Sequence, residues 1–127
     1  MGTIVQVIHP SDFLRVRADG RVDLATGKVL LAEIAQAGAR LENYQVLIDI
    51  RDAEGHFTPD ELHELAGCLI QFRGTFLHRT GILCPRERFD NARFFSLLAA
   101  SHGFSRVRAF VSFEDAMDWL MAPEAEA

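Results

Sequence analysis

The chain has 127 residues, and this length favours one domain, because two domains would each fall below the size at which a single core is comfortable. Hydrophobic residues make up 49% and charged residues 24%, an ordinary globular composition that excludes disordered, collagen-like and disulfide-scaffold proteins. The net charge of −5 argues against a wholly basic nucleic-acid-binding protein.

The N-terminal segment has the pattern of a β-hairpin. A β-branched run over residues 4–8 ends at a turn-rich cluster at residues 9–12. From Phe13 to Arg17 apolar residues alternate with arginine, which predicts a second strand, antiparallel to the first, with one solvated face.

A first helix follows this hairpin. Apolar residues from Leu30 to Leu41 recur at helical spacing, with Thr26 or Asp23 as the N-cap and Gly38 near the end.

The run Val46–Ile50 is almost continuously apolar, as expected for a strand covered on both faces, and it contains Asp49. The next helix begins with Thr58, Pro59 and Glu61, the residues of a capping box with proline at the first helical position. Its apolar stripe is predicted to include Ile70 and to extend as far as Phe76.

Two further strand–helix pairs complete the chain. Residues 80–84 and 107–111 are short apolar runs typical of buried strands. Asp90 is the predicted cap of the helix after the first run, and that helix ends at Gly103. Ser112 is the predicted cap of the last helix.

The element order is β-β-(short β)-α-β-α-β-α-β-α, which predicts an α/β domain with right-handed crossovers to parallel strands. We expect one domain over residues 1–121, with a mixed sheet of about five strands and about four helices. Residues 122–127 are expected to form a flexible acidic tail.

Cys68 and Cys84 lie far apart, with no CxxC pair, and read as reduced packing cysteines. The N-terminus lacks the pattern of a signal peptide, and no apolar run approaches the roughly 20 residues that span a bilayer. We therefore expect a cytoplasmic protein without membrane insertion.

The sequence lacks common motifs for nucleotide binding and catalysis, since GxGxxG, GxxxxGK[ST] and GxSxG are all absent. Cys84 lies at a strand end, where a catalytic thiol would stand, but Pro85 removes one backbone donor from the loop that would hold an anion. An inert strand-end cysteine is the simpler interpretation.

Histidine and arginine offer two candidate sites. His56, Asp60 and His63 are close enough in sequence to suggest a metal site, although exposed or capping roles explain them more simply, and we expect no metal. Residues 79–108 hold six arginines against two acids, a net charge of +4, so the rest of the chain carries −9. Arg86, Arg88 and Arg93, between a strand end and a helix start, form either an anion-binding site or a set of solvated side chains.

The ten phenylalanines are most simply core residues, with a hydrophobic ligand cavity between helix and sheet as the alternative.

Three stretches carry a resemblance to a known family. They are Gly20-Arg-Val-Asp-Leu, the strand Leu47-Ile-Asp-Ile-Arg51 that leads to Phe57-Thr-Pro-Asp60, and the terminal segment 107–120. Over residues 4–120 the chain resembles a STAS-type domain of the SpoIIAA-like group, small bacterial proteins related to anti-sigma factor antagonists. The resemblance implies a mixed sheet packed against helices and a non-enzymatic role in binding another protein.

The resemblance also implies a candidate phosphorylation site. In signalling members a partner kinase phosphorylates a serine in the loop after an Asp-ending strand. Here the corresponding stretch is residues 55–60, in which Thr58 is the only hydroxyl and Pro59 and Asp60 replace small residues. Thr58 is therefore either a phosphoacceptor or a helix cap only.

The leading hypothesis is a regulatory protein–protein interaction module without a cofactor, a metal or a nucleic-acid partner. Its candidate partner or phosphorylation residues are Asp49, His56, Thr58, Asp60 and His63. The alternative is a binder of a small anionic or apolar ligand, a nucleotide or a lipid, with Arg86, Arg88 and Arg93 at the anionic end. The apolar content and the half-exposed hairpin edge make a homodimer plausible.

Overall fold

The computed structural model describes residues 2–8, 13–39, 41 and 44–123, with residues 2–8 and 13 described by their backbone. The turn predicted at residues 9–12 and the last four residues of the predicted acidic tail lie outside these ranges.

One mixed sheet holds five strands in the order β1-β2-β3-β4-β5. They are β1 (Gly2–Ile8), β2 (Phe13–Arg21), β3 (Gln45–Glu54), β4 (Thr80–Leu83) and β5 (Val107–Phe110). β1 pairs antiparallel with β2, and the other neighbours pair in parallel. The predicted hairpin and mixed sheet are confirmed.

Four helices of nine or more residues and one short helix lie in the described part of the chain. They are α1 (Leu24–Gly38), α2 (Pro59–Cys68), the four-residue α3 (Arg73–Phe76), α4 (Phe89–Ser101) and α5 (Phe113–Met121). Short 3₁₀ turns at Leu69–Phe72 and Arg86–Arg88 precede α3 and α4. The α/β class with about four helices is therefore confirmed.

Capping residues set the N-termini of three helices. Asp23 caps α1 by accepting a hydrogen bond from the Thr26 backbone, which decides between the two predicted caps. Thr58 and Glu61 form the predicted capping box of α2, and Ser112 caps α5.

The C-terminus of α4 is closed by a Schellman arrangement around Gly103. The backbone N–H groups of Gly103 and Phe104 donate to the carbonyls of Ala100 and Ala99. Gly103 has φ +94°, in the left-handed region that favours glycine, as the sequence predicts.

Side chains alternate between the two faces of the sheet. The front face, which α1, α2 and α4 cover, carries Val46 and Ile48 of β3 and Ile82 of β4 in the main core. The back face carries Leu47 and Leu83, which pack with Ala116 and Leu120 of α5 in a second, smaller cluster. Each face thus has its own apolar contacts.

Three predicted boundaries are wrong. No separate short strand lies between β2 and α1 in the described residues, because β2 itself continues to Arg21 and Val22 then bonds to Glu54. β3 does not end near Asp49 but continues to Glu54, paired with β2 alone. Asp90 does not cap α4: the helix begins at Phe89, so Asp90 lies in the first turn.

The apolar stripe predicted for the helix after β3 is also interrupted in the structure, and few residues of α4 are buried. α2 ends at Cys68, and Ile70, in the following 3₁₀ turn, is 53% exposed. On α4 the buried residues are Ala92 and Ala99, whereas Leu97 is 61% exposed. The chain between α2 and β4 changes helix type twice, so a single 3.6-residue period does not hold across it.

Candidate functional site

A cavity of about 120 Å³ opens between the front face of the sheet and the helices α1, α2 and α4. We call it the strand-end cavity, because it lies where β3 and β4 end, the edge at which parallel α/β sheets commonly bind ligands. Its lining is Val22, Gly27, Leu30, Leu31, Ile48, Ile50, Ala53, Glu54, Gly55, His56, Phe57, Leu62, Leu65, Ile82, Arg88, Asn91, Ala92 and Phe95.

Small residues leave this space open. Ala53 and Ala92 face it with single methyl groups, and larger side chains at these two positions would occupy it. Gly27 has a different effect, because it lets α1 approach α2 closely. A Cβ atom there would stand 3.2 Å from Leu65 Cδ2 and 3.4 Å from Phe57 Cζ.

The polar residues of the lining come from two neighbouring segments. Glu54 is the last residue of β3 and His56 follows it, and Arg88 and Asn91 lie at the turn and helix start that follow β4. Because β3 and β4 are parallel neighbours, both segments lie at the same edge of the sheet. The cavity therefore has an apolar interior and polar groups at one end.

The structure separates the three predicted anion-binding arginines. Arg88 lines the strand-end cavity, and its Nη2 donates to the carbonyls of Ala53 and Ile50, the latter at 3.5 Å. Arg86 and Arg93 are exposed and do not line the cavity. A joint anion site formed by all three stays a prediction, and Arg88 is the member placed at a cavity.

The start of α2 brings together most of the other predicted site residues. The Thr58 hydroxyl accepts from the Glu61 backbone at 3.1 Å, and the Glu61 carboxylate accepts from the Thr58 backbone at 2.9 Å. Thr58, Asp60 and His63 are exposed, and the His63 ring lies edge-on to Phe94 of α4 with centroids 5.9 Å apart. His56, also exposed, lines the cavity instead.

Asp49 is not part of that group, because its side chain lies on the back face. It is 5% exposed and accepts from the Arg51 backbone N–H at 3.1 Å and from Arg51 Nε and Nη2 at 3.1 and 2.9 Å. Arg15 of β2 lies 3.9 Å from the same carboxylate. We call Arg15, Asp49 and Arg51 the back-face network.

The environment of Asp49 keeps its carboxylate ionised. Burial by itself would raise the pKa of Asp49, but the hydrogen bonds from Arg51 and the charges of Arg51 and Arg15 outweigh it and hold the pKa below its ordinary value. Asp49 is therefore explained by a structural ion pair.

Cys84 does not have the environment of a nucleophile. It is 1% exposed, and its Sγ lies 3.5 Å from the Phe110 carbonyl oxygen. Burial raises the pKa of the thiol more than the neighbouring Arg88 lowers it, which disfavours the thiolate.

The described residues contain neither a metal-binding cluster nor a membrane-spanning helix. Within the described ranges, His, Cys, Asp and Glu nowhere form a group of three or more that could hold a metal ion. None of the helices in these ranges combines the length and the apolar content needed to cross a bilayer.

Sequence reasoning missed two features of the site. The sequence offers a cavity between helix and sheet as an alternative but not its position, which depends on small residues such as Ala53 and Ala92 meeting across elements distant in sequence. The back-face network was missed because Arg15 and Asp49 belong to separate strands, although their alternation with apolar residues was a usable signal.

Comparison with known proteins supports the architecture. No family model matches the chain, and no curated protein does either. A crystal structure of an uncharacterised protein of the DUF3478 family with a SpoIIAA-like fold, from Shewanella loihica PV-4, matches with a TM-score of 0.62 and 18% identity, covering 94% of each chain. The chain therefore has a SpoIIAA-like fold, as the sequence resemblance predicts.

Proposed function

From this SpoIIAA-like fold and its strand-end cavity, we propose that the protein binds a small apolar ligand rather than catalysing a reaction. The observation that carries the proposal is a cavity of about 120 Å³ whose interior is lined by aliphatic and aromatic side chains. Packed cores leave few voids larger than a water molecule, so a space of this size at a strand end is a candidate binding site.

The size of the cavity sets the size of the ligand. An apolar cavity of about 150 Å³ can hold benzene, so a space of about 120 Å³ fits one small ring or a short aliphatic chain. A whole nucleotide is too large for it. The cavity volume therefore removes the nucleotide from the ligands expected from the sequence.

The proposal is tested by adding benzene, toluene and hexane separately and following the thermal unfolding midpoint. A ligand that binds only the folded state raises the midpoint with concentration, because stability rises as RT ln(1 + [L]/Kd). Ala92→Leu extends a side chain into the cavity and should abolish the rise. Ala100→Leu makes the same change on the exposed face of α4 and should preserve it.

A null result on the wild-type protein at near-saturating concentrations of all three compounds would reject the proposal. An equal rise in wild type and Ala92→Leu would place the binding elsewhere and reject it too.

A second candidate function, the regulatory interaction module, has its own supporting observation. Phe94 and Leu97 of α4 are 36% and 61% exposed, and the Phe94 ring lies against His63 of α2. We call Phe94 and Leu97 the α2–α4 surface. Exposed apolar residues grouped in this way are typical of sites that contact other proteins.

The partner, its pathway and any phosphorylation of Thr58 stay predictions, as does a homodimer. A purified candidate partner should bind the wild type and lose affinity at least tenfold for Phe94→Ser/Leu97→Ser. Val29→Ser, which changes a 56% exposed residue on α1, is the matched control. Equal binding by all three proteins would place the contact elsewhere.

A further inference from the structure

Arg88 is held at the cavity by neutral groups. Its Nη2 donates to the backbone carbonyls of Ile50 and Ala53, at the end of β3. Carbonyl oxygens orient the guanidinium but carry no net charge, so the positive charge of Arg88 is fixed in position without being neutralised. The side chain is half-buried, which limits screening by water.

The remaining donors of Arg88 are free in the described part of the chain. A guanidinium has five N–H donors, and among these residues only Nη2 of Arg88 is used in a hydrogen bond. The same ranges contain no carboxylate within 4 Å of it, whereas Arg15, Arg17 and Arg51 each pair with an aspartate. Nε and Nη1 thus remain for an anionic group.

Arg88 and Asn91 line the cavity together with the apolar residues Ile50, Ala92 and Phe95. Ile50 and Ala53, whose carbonyls bind the Arg88 guanidinium, belong to the same lining. A ligand that fits both parts has a small apolar body and one negatively charged end. Carboxylates match the fork of an arginine through two parallel hydrogen bonds.

We propose that the ligand of the strand-end cavity is a small monocarboxylate with an aromatic ring or a short aliphatic chain, and that Arg88 binds its carboxylate. This inference rests on the proposed function and adds the chemistry of the polar end. Glu54 is the acidic residue in the lining, it is exposed, and its charge opposes the binding of an anion.

The test compares benzoate with benzamide, a neutral molecule of nearly the same shape, by calorimetric titration at pH 7, with toluene as the purely apolar probe. Benzoate should bind at least about tenfold more tightly than benzamide, which corresponds to about 1.4 kcal/mol for a charge-assisted pair. Arg88→Gln should bring this ratio close to one, and Arg88→Lys should retain part of it. Arg86→Gln, an exposed residue of the same 3₁₀ turn, should leave the ratio unchanged.

Glu54→Gln provides a second measurement that does not depend on how Arg88→Gln folds. Removing this negative charge should increase the affinity for benzoate two- to fivefold and leave that for benzamide unchanged. High salt should weaken benzoate binding and not toluene binding.

The outcomes separate this inference from the proposed function. If toluene and benzamide bind the wild type as tightly as benzoate, apolar binding stands and the role of Arg88 is overturned. If none of the three compounds binds the wild type, the proposed function fails and this inference fails with it. A benzoate preference that survives Arg88→Gln also overturns the inference.

Discussion

The two faces of the sheet differ in how completely the helices fill the space above them. On the back face α5 lies directly on β3 and β4, and a Cβ added at Gly81 would stand 3.6 Å from Leu120 Cδ1. On the front face three helices cover the sheet and still leave about 120 Å³ unfilled at the strand ends. The filled face is explained by stability alone, whereas the unfilled face has the space in which we propose that a ligand binds.

The charged side chains on the two faces also differ in the partners that they contact. On the back face each charge of the back-face network has an oppositely charged neighbour, since Asp49 accepts from Arg51 and lies beside Arg15. At the strand-end cavity Arg88 is bound by carbonyl groups only, among the described residues. The front face therefore combines unfilled volume with an arginine whose hydrogen-bond partners are neutral, and these are the two features on which the proposed binding site rests.

The largest expected effect comes from replacing one leucine on each face of the sheet by alanine. Leu120→Ala removes a fully buried side chain from the close-packed back face and should lower the free energy of unfolding by about 3–5 kcal/mol. Leu65→Ala removes a side chain that already borders the cavity and should cost about 2–3 kcal/mol. Urea unfolding of both variants measures the difference, and an equal or larger loss for Leu65→Ala would contradict it.

A second pair of variants adds volume instead of removing it. Ala116→Leu should destabilise the protein by about 1–3 kcal/mol, because Ala116 is fully buried against the back face. Ala92→Leu should change stability by less than about 0.5 kcal/mol, because its new atoms enter the strand-end cavity. Thermal unfolding of the two variants checks this, and a cost for Ala92→Leu equal to that for Ala116→Leu would mean that the front face has no usable space.

The back-face network predicts the smallest effect and a pH dependence. Asp49→Asn should lower the free energy of unfolding by about 1–2 kcal/mol at pH 7, because Arg51 and Arg15 lose a charged partner. The pKa of Asp49 is lower in the folded protein, so its contribution is complete above the unfolded value of about 4 and is lost as pH falls through the folded pKa.

Urea unfolding from pH 7 down to pH 2 should therefore show a smaller acid-induced loss in Asp49→Asn than in the wild type. Asp52→Asn is the control, because Asp52 pairs with Arg17 at 3.4 Å on an exposed surface, where such pairs contribute little. Parallel pH curves for the wild type and Asp49→Asn would show that the ion pair contributes nothing to folding.

Local signals account for most of the fold that the sequence predicts. The β-branched runs, the capping box at Thr58 and the glycine at position 103 act within a few residues, and the structure contains each of them. Long-range packing decides the rest: Ile70 is apolar and follows the helical period, yet it is exposed because the helix has already ended. Exposure depends on which element lies opposite, and periodicity within one helix does not contain that information.

The site was predictable in its residue types and not in its arrangement. The sequence singles out Arg88, together with Arg86 and Arg93, by its position between a strand end and a helix start. Only the three-dimensional course of β3, which binds Arg88 through a backbone carbonyl, distinguishes it from the other two. Asp49 is grouped with Thr58 in the sequence because the family resemblance places the candidate phosphorylation loop after an Asp-ending strand. The extra length of β3 and the alternation of its side chains place Asp49 on the back face instead.

The most direct test of the central claim uses methyl resonances from adjacent positions that point to opposite faces. Ile48 and Ile82 line the strand-end cavity, whereas their chain neighbours Leu47 and Leu83 lie in the back-face cluster. During a toluene titration of the methyl-labelled protein, the resonances of Ile48 and Ile82 should shift and saturate while those of Leu47 and Leu83 stay unchanged. Unchanged isoleucine resonances at saturating toluene, or equal shifts on both faces, would contradict the existence of a binding cavity on the front face.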